Sequence, residues 1–462
     1  MKRFLCLSIF GALLTNTPLY AQNTAQLKQD FEKISSHILK SGESYNDLEV
    51  LCKTIGHRLT GSKAAARAVE WGAQTLRNAG CDTVWLQPVI VPVWQRGAES
   101  LLLQLGQEKD FISVPMLSLG NSEGTKGATL QAPIIMVQSF DELDALDEKA
   151  LAGKIVFFNY PFKQELVSTF EGYGDAVKYR WQSPIKCAFK GVLGIIVRSI
   201  STGMDDYPHT GTTKYAEGSD KFPVVAIGNQ TADRLAHAIN KNQQCKARIT
   251  SNCGMKGTAK SYNVIGEIKG SHYPDEYLVV GGHLDSWDVG EGAHDDGAGC
   301  VQAIEVLRTY KKLGMQPRHT LRAVLFMNEE NGLKGGTTYA DSTLANKEKH
   351  IIALESDAGG FSPKGIETTM DAAQRSRFQP YESLFHSYGI YDFSKHGGGA
   401  DVSPLKPQNI VVGELLPDSH RYFDVHHTDA DVFESVNHRE LKMGAAVMTM
   451  FLHVLDTQPI IK

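Results

Sequence analysis

The chain has 462 residues, 42% of them hydrophobic and 21% charged, with a formal net charge of −5. That length exceeds what one core can serve and calls for two or three domains, while the composition is that of an ordinary globular protein. Basic residues are scattered rather than clustered, which argues against a nucleic-acid-binding surface, and no apolar run reaches the length of a membrane span.

Met1-Lys2-Arg3, the apolar run Phe4 to Leu14 and Leu19-Tyr20-Ala21 have the three parts of a secretory leader over residues 1–21. The mature protein is therefore expected outside the cytoplasm, periplasmic or extracellular. Cys52, Cys81, Cys187, Cys245, Cys253 and Cys300 follow the leader. Six cysteines in a chain this long are not a disulfide framework and form no Cys-x-x-Cys zinc pair. Cys245 and Cys253 are near enough in sequence for a local bridge; the others read as core thiols. Helical periodicity covers 24–41 and 43–54, and a further helix runs from Ser62, its cap, to Ala79, with Gly80 as its stop. Thr83 to Trp94 is rich in Val, Ile and Trp and reads as a strand, placed at a sheet edge by Pro88 and Pro92. Residues 22–110 thus begin an α/β domain that is too small to close.

Between 111 and 256 the texture changes to short strands at 133–137, 154–159, 192–198, 222–227 and 247–250, with a helix at 231–240. No strand end there gathers His, Asp and Glu, and His209 reads as part of a solvated polar loop. This stretch is expected to be an inserted domain, mixed α/β or mainly β, with a gating or interaction role.

Strands and helices alternate from 257 to 462: strands at 263–268, 277–280, 321–327, 350–354 and 408–415, and helices at 296–313, 335–340 and 440–455. That pattern predicts a mostly parallel mixed sheet covered by helices on both faces, which places ligands at the carboxyl ends of its strands. Those ends carry the polar chemistry. His283 and Asp285 follow the first apolar strand, and Asp295-Asp296-Gly297 begins the helix twelve residues after His283. Glu329-Glu330, Asp357 and His426-His427-Thr428 stand at later ends.

Each feature alone has a blander explanation. A strand-end His is commonly structural, Asp-Asp-Gly caps helices, Glu-Glu pairs sit in solvated turns and paired His residues decorate surfaces. The Gly-rich run before Asp295 lacks the Gly-Lys-Ser/Thr of a phosphate loop. Their joint occurrence at successive ends favours a site. His283, Asp295, Glu330, Asp357 and His427 together supply two imidazoles and three carboxylates, enough for two divalent ions sharing one carboxylate, and N/O donors suit zinc. Such a pair polarises a water and a scissile carbonyl, leaving a neighbouring Glu to act as base.

These motifs, in this order, resemble the co-catalytic zinc exopeptidases that include bacterial aminopeptidases and glutamate carboxypeptidases. The likeness covers about 29–110 and 257–462 and is carried further by SWDVGEGAHDDGAG, LESDAGGF and GGGADVSPL. It implies two Zn2+ per chain on His283, Asp295 as bridge, Glu330, Asp357 and His427. It further implies Glu329 as the general base acting on a metal-bridging water and Asp285 as the acid orienting His283. His426 stands where many relatives have a Tyr that donates to the oxyanion, and Asp431 ends the His-Thr-x-x-Asp motif. GKIVFFN, KGVLGIIVRS and FPVVAIG resemble an inserted protease-associated domain. The expected substrates are dipeptides or short peptides with a free amino terminus, and the expected assembly is a homodimer, as in many relatives. Two other readings share the fold: a single-zinc glutaminyl cyclase, disfavoured by the twelve-residue spacing and the insert, and a metal-free receptor, disfavoured because every ligand position is filled.

Overall fold

In a computed structural model, residues 17–106 and 109–461 are described. The charged start and apolar run of the expected leader lie outside them. No helix among the described residues is long and apolar enough to cross a membrane.

Among the described residues the chain builds two sheets. The larger has seven strands in the spatial order Thr83–Gln95, Gly254–Ile268, His319–Phe326, Tyr273–His283, Lys349–Glu355, Val411–Pro417, Pro363–Thr368. The four strands from His319–Phe326 to Val411–Pro417 are mutually parallel, and the outer pairings are antiparallel. Side chains alternate across the sheet, so a strand covered on both faces needs apolar residues at every position. Leu278 and Val280 point into one core with the helices Thr17–Ser41, Lys63–Asn78, Ala298–Lys312 and His438–Thr457; Val279 points into the other, under Lys334–Asn346. Leu321, Ala323 and Leu325 face the first core, and Val324 and Phe326 the second. Each such Val or Leu contributes about 1.5–3 kcal/mol by leaving water. This is the expected α/β sheet with helices on both faces.

The N-terminal elements follow their sequence signals. The Ser62 hydroxyl accepts from the Ala65 amide at 3.0 Å and starts the helix Lys63–Asn78. Thr83–Gln95 lies at the sheet edge, where Pro88 and Pro92, which have no N–H to donate, are tolerated.

The second sheet has eight strands and runs from Glu99 to Ser251, starting ahead of residue 111 because Glu99–Gln104 pairs with Lys246–Ser251. The chain leaves the large sheet at Gln95 and returns at Gly254, and these two residues are partners in one antiparallel register. Exit and return therefore adjoin, and apart from a bulge between Val93 and Trp94 the pairing of the large sheet runs on up to the insertion. No Cys245–Cys253 bridge forms: the Cys253 thiol lies 3.2 and 3.3 Å from the Ser251 and Ser122 hydroxyls, and Cys245 packs in the core of the second sheet.

Candidate metal centre and active site

His283 is the last residue of its strand and is 1% exposed. Its Nδ1 lies 3.0 Å from the Asp285 backbone carbonyl, an acceptor only, so Nδ1 carries the proton. Nε2 then faces Asp295 Oδ1 at 3.0 Å and Asp357 Oδ1 at 3.4 Å; burial opposes it, but these carboxylates raise the imidazole's pKa well above the usual histidine range, so in the absence of a cation Nε2 is protonated too. At His427, Nδ1 donates to the Thr210 carbonyl at 3.2 Å, and Nε2 faces Asp295 Oδ2 at 3.1 Å and Glu330 Oε2 at 3.3 Å. Asp295 thus turns one oxygen to each imidazole. A lone pair against a carboxylate oxygen is repulsive unless a proton or a cation lies between them. Asp295 Oδ2 is buried and has no hydrogen-bond donor among the described residues. The convergent nitrogen and oxygen donors fit zinc.

The backbone delivers these groups from several elements. Asp295 and Asp296 belong to the turn Ala293–Gly297 that enters the helix Ala298–Lys312, and the peptide between them is cis. The Asp431 carboxylate accepts from the amides of His294 at 2.7 Å and Asp295 at 3.2 Å, fixing the turn. Asp296 points the other way and accepts from the amides of His283 and Gly299, both at 2.9 Å. A Cβ on Gly282 or Gly299 would come within 2.5 Å of that carboxylate, so both positions exclude a side chain. Of the adjacent acids, Asp295 faces the imidazoles and Asp296 supports the backbone.

Asp285 has a different task from orienting His283. Its carboxylate stands 3.9 Å from His283 Nδ1, while Oδ1 accepts from the amides of Asn328 at 2.6 Å and Glu329 at 3.1 Å, and Oδ2 from the Thr60 hydroxyl at 2.9 Å. It secures the strand-end turn in which Asn328 adopts φ 75°. That turn swings Glu329 into the cleft, and Glu330 Oε1 receives the Trp287 amide at 3.0 Å. Burial, reinforced by Asp357 and Asp295 against the pull of His283, raises the Glu329 carboxyl to about 8. A cation held beside it would lower that value. His426 stacks on His427 with ring centroids 3.5 Å apart, its Nε2 3.7 Å from Asp295 Oδ2. Burial, then His427, hold its pKa well below the usual histidine range, so the ring is neutral.

The site opens into a cleft of about 490 Å³ lined by Asp295, Glu329, Glu330, Asp357, His426 and His427, within the range of small-ligand pockets. Phe170, Tyr173, Arg180 and Thr212, from the chain segment of the second sheet, complete its wall.

Several contributors carried no local signal. Arg58 is fully buried and donates to the carbonyls of Leu284 at 2.6 Å, Glu291 at 2.8 Å and Gly292 at 2.9 Å, clamping the loop between His283 and Asp295. His209, expected in solvent, is 2% exposed, and burial holds it neutral with a pKa of about 3. Only spatial proximity reveals these residues.

The sequence pattern of Peptidase family M28 matches residues 263–452. The chain is 34% identical to Carboxypeptidase Q of Bos taurus over 412 residues, covering 89% of this chain and 85% of that protein. It is 32% identical to Carboxypeptidase Q of Homo sapiens over 445 residues, covering 93% and 92%. The crystal structure of a peptidase M28 precursor from Shewanella amazonensis SB2B superposes with a TM-score of 0.90 at 32% identity, covering 95% of this chain and 98% of that one. A zinc aminopeptidase from Bacillus subtilis shares the fold, with a TM-score of 0.63 at 19% identity, covering 92% and 99%. The matched span contains the strand ends that carry His283, Asp295, Glu330, Asp357 and His427, and the similarity runs on through nearly the whole chain; the protein therefore belongs to peptidase family M28 and is a zinc-dependent exopeptidase.

Proposed function

We propose that the protein is an exported di-zinc exopeptidase that hydrolyses dipeptides and other short peptides bearing a free amino terminus. The observation that carries the two-ion reading is Asp295, whose two oxygens face the Nε2 atoms of His283 and His427 separately. His283 and Asp357 would hold one ion, His427 and Glu330 the other, with Asp295 between them. The bound zinc supplies Lewis acidity toward the attacking water and the scissile carbonyl.

The chain's own residues do the rest. Glu329 accepts the proton of the attacking water and passes it to the departing amine. Asp285 holds the Glu329 backbone so that the carboxylate keeps its aim. His426 is neutral and retains one N–H, which it donates to the carbonyl oxygen as negative charge grows there. Carboxylates of the cleft, Asp357 foremost, pair with the substrate's ammonium group. The segment from Glu99 to Ser251 acts as a protease-associated-like inserted domain that walls the cleft through Phe170, Tyr173 and Arg180.

The test compares Ser-Met with N-acetyl-Ser-Met on zinc-loaded protein, together with metal analysis. Loss of the charge-assisted bond predicts a kcat/KM lower by about ten- to hundred-fold for the blocked peptide, and about two zinc ions per chain. Equal rates would remove amino-end anchoring, and one zinc per chain would remove the di-zinc centre.

A further inference from the structure

The two imidazoles of the metal centre are supported from different parts of the chain. His283 Nδ1 donates to the carbonyl of Asp285, two residues on, and the His283 amide donates to Asp296. His427 takes its support from the inserted segment. Its Nδ1 donates to the Thr210 carbonyl at 3.2 Å, and its own carbonyl accepts the Thr210 N–H at 3.0 Å. His427 sits at φ 63°, a left-handed conformation that an L-residue keeps only where its surroundings impose it. Thr210 thus grips both the ring and the backbone of that residue.

Thr210 is itself held from the junction between the two sheets. Arg96 follows the strand Thr83–Gln95, at the point where the chain leaves the large sheet. Its Nη1 donates to the Ser118 carbonyl at 2.5 Å and its Nη2 to the Thr210 hydroxyl at 3.4 Å, and that hydroxyl donates on to Ser118 at 3.0 Å. The same guanidinium forms a two-pronged pair with Asp288, Nε to Oδ2 at 3.0 Å and Nη2 to Oδ1 at 2.6 Å. The side chains are only 11% and 19% exposed, so the pair is not of the loosely held surface kind. Asp288 follows Trp287, whose amide donates to Glu330 Oε1 at 3.0 Å and whose ring stands 5.7 Å from that of His427. The insertion closes on that ring: a Cβ on Gly120 would lie 1.9 Å from Trp287 Cη2.

One guanidinium therefore reaches both residues assigned to one ion, His427 through Thr210 and Glu330 through Asp288 and Trp287. We propose that Arg96 is a positioning residue for that metal position, and that the insertion is a working part of the metal centre as well as a wall of the cleft. The inference rests on the two-ion reading above. Holding the outer N–H of a ligating imidazole is worth about ten- to hundred-fold in metal affinity. Loss of Arg96 withdraws that support from the ion at His427 and Glu330 and leaves the ion at His283 and Asp357 in place.

The experiment counts zinc on the full chain against a graded chelator in the wild type, Arg96→Gln, Arg96→Lys and Thr210→Val. Arg198→Gln is the control, since Arg198 pairs with Asp233 within the insertion. In Arg96→Gln one ion is expected to bind about ten- to hundred-fold more weakly while the other keeps its wild-type affinity. Arg96→Lys, which keeps the charge and loses the fork, and Thr210→Val should fall between. In a His427→Ala background the remaining ion should be held equally with and without Arg96→Gln. Both ions weakened alike, neither weakened, the same loss in Arg198→Gln, or a looser remaining ion in the double variant would each overturn the proposal while leaving the two-ion reading intact. A single zinc in the wild type overturns that reading, and the proposal with it. Arg96→Lys and Thr210→Val decide the matter should Arg96→Gln not fold.

Discussion

The Asp285 carboxylate accepts the backbone N–H of Glu329 at 3.1 Å, so the acid two residues beyond the metal-facing His283 aligns the proposed base rather than the ligand. Asp285→Asn keeps the size but replaces one charged oxygen with an amide that cannot accept. The His283 ring is held by the Asp285 main-chain carbonyl, which the substitution leaves in place. We expect zinc content to be retained and kcat to fall by about ten- to hundred-fold, the usual cost of losing a charge-assisted bond. Zinc titration and turnover on one preparation decide it: lost zinc with unchanged kcat per bound ion would return Asp285 to the service of His283.

Glu329→Gln is isosteric and cannot take the water's proton. Fold and zinc should be unchanged while kcat drops by about 10²–10⁴-fold. Activity within a few-fold of wild type, on protein with full zinc content, would show that another group is the base.

Asp295→Ala should weaken zinc binding more than His427→Ala. Asp295 faces both imidazoles and offsets charge at both positions, whereas His427 serves one. Stoichiometry under a graded chelator tests this, and two ions retained at wild-type affinity in Asp295→Ala would transfer the bridging role to Asp296.

Away from the site, His350 sets an acid limit on stability. Its Nε2 receives the Tyr339 hydroxyl at 2.7 Å, and that hydroxyl receives Arg322 at 2.9 Å, an arrangement that needs a neutral imidazole. Burial, then the Arg322 charge, hold its pKa at about 3 against an ordinary 6.5. The unfolded chain takes up this proton as pH falls through 6.5 and the folded chain does not until about 3, so stability declines across that window and is full above it. Between pH 7 and pH 5 the wild type should lose about 2 kcal/mol more than His350→Asn. Urea melts at both pH values measure it, and parallel losses in the two proteins would rule the effect out.

The sequence by itself determined the strand ends and the chemistry on them. A sheet buried on both faces needs apolar residues at every strand position, so Tyr277 to Val280 and Leu321 to Met327 stand out as runs, and the polar residues that follow them mark the ligand-binding edge. Donor types and order then select the metal chemistry. What supports those donors was decided only in the tertiary structure. Thr60 reaches Asp285 across 225 residues of sequence, and the Thr210 carbonyl reaches His427 across 217. Arg58 clamps a loop more than two hundred residues away, and Arg180 enters the cleft from the second sheet's segment. The division of labour between Asp295 and Asp296 follows from the local course of the backbone, which turns one carboxylate to the imidazoles and the other to the amides of His283 and Gly299. Periodicity reports which face of an element is buried; which distant carbonyl or guanidinium is brought to that face depends on how the two sheets pack, and no local pattern encodes it.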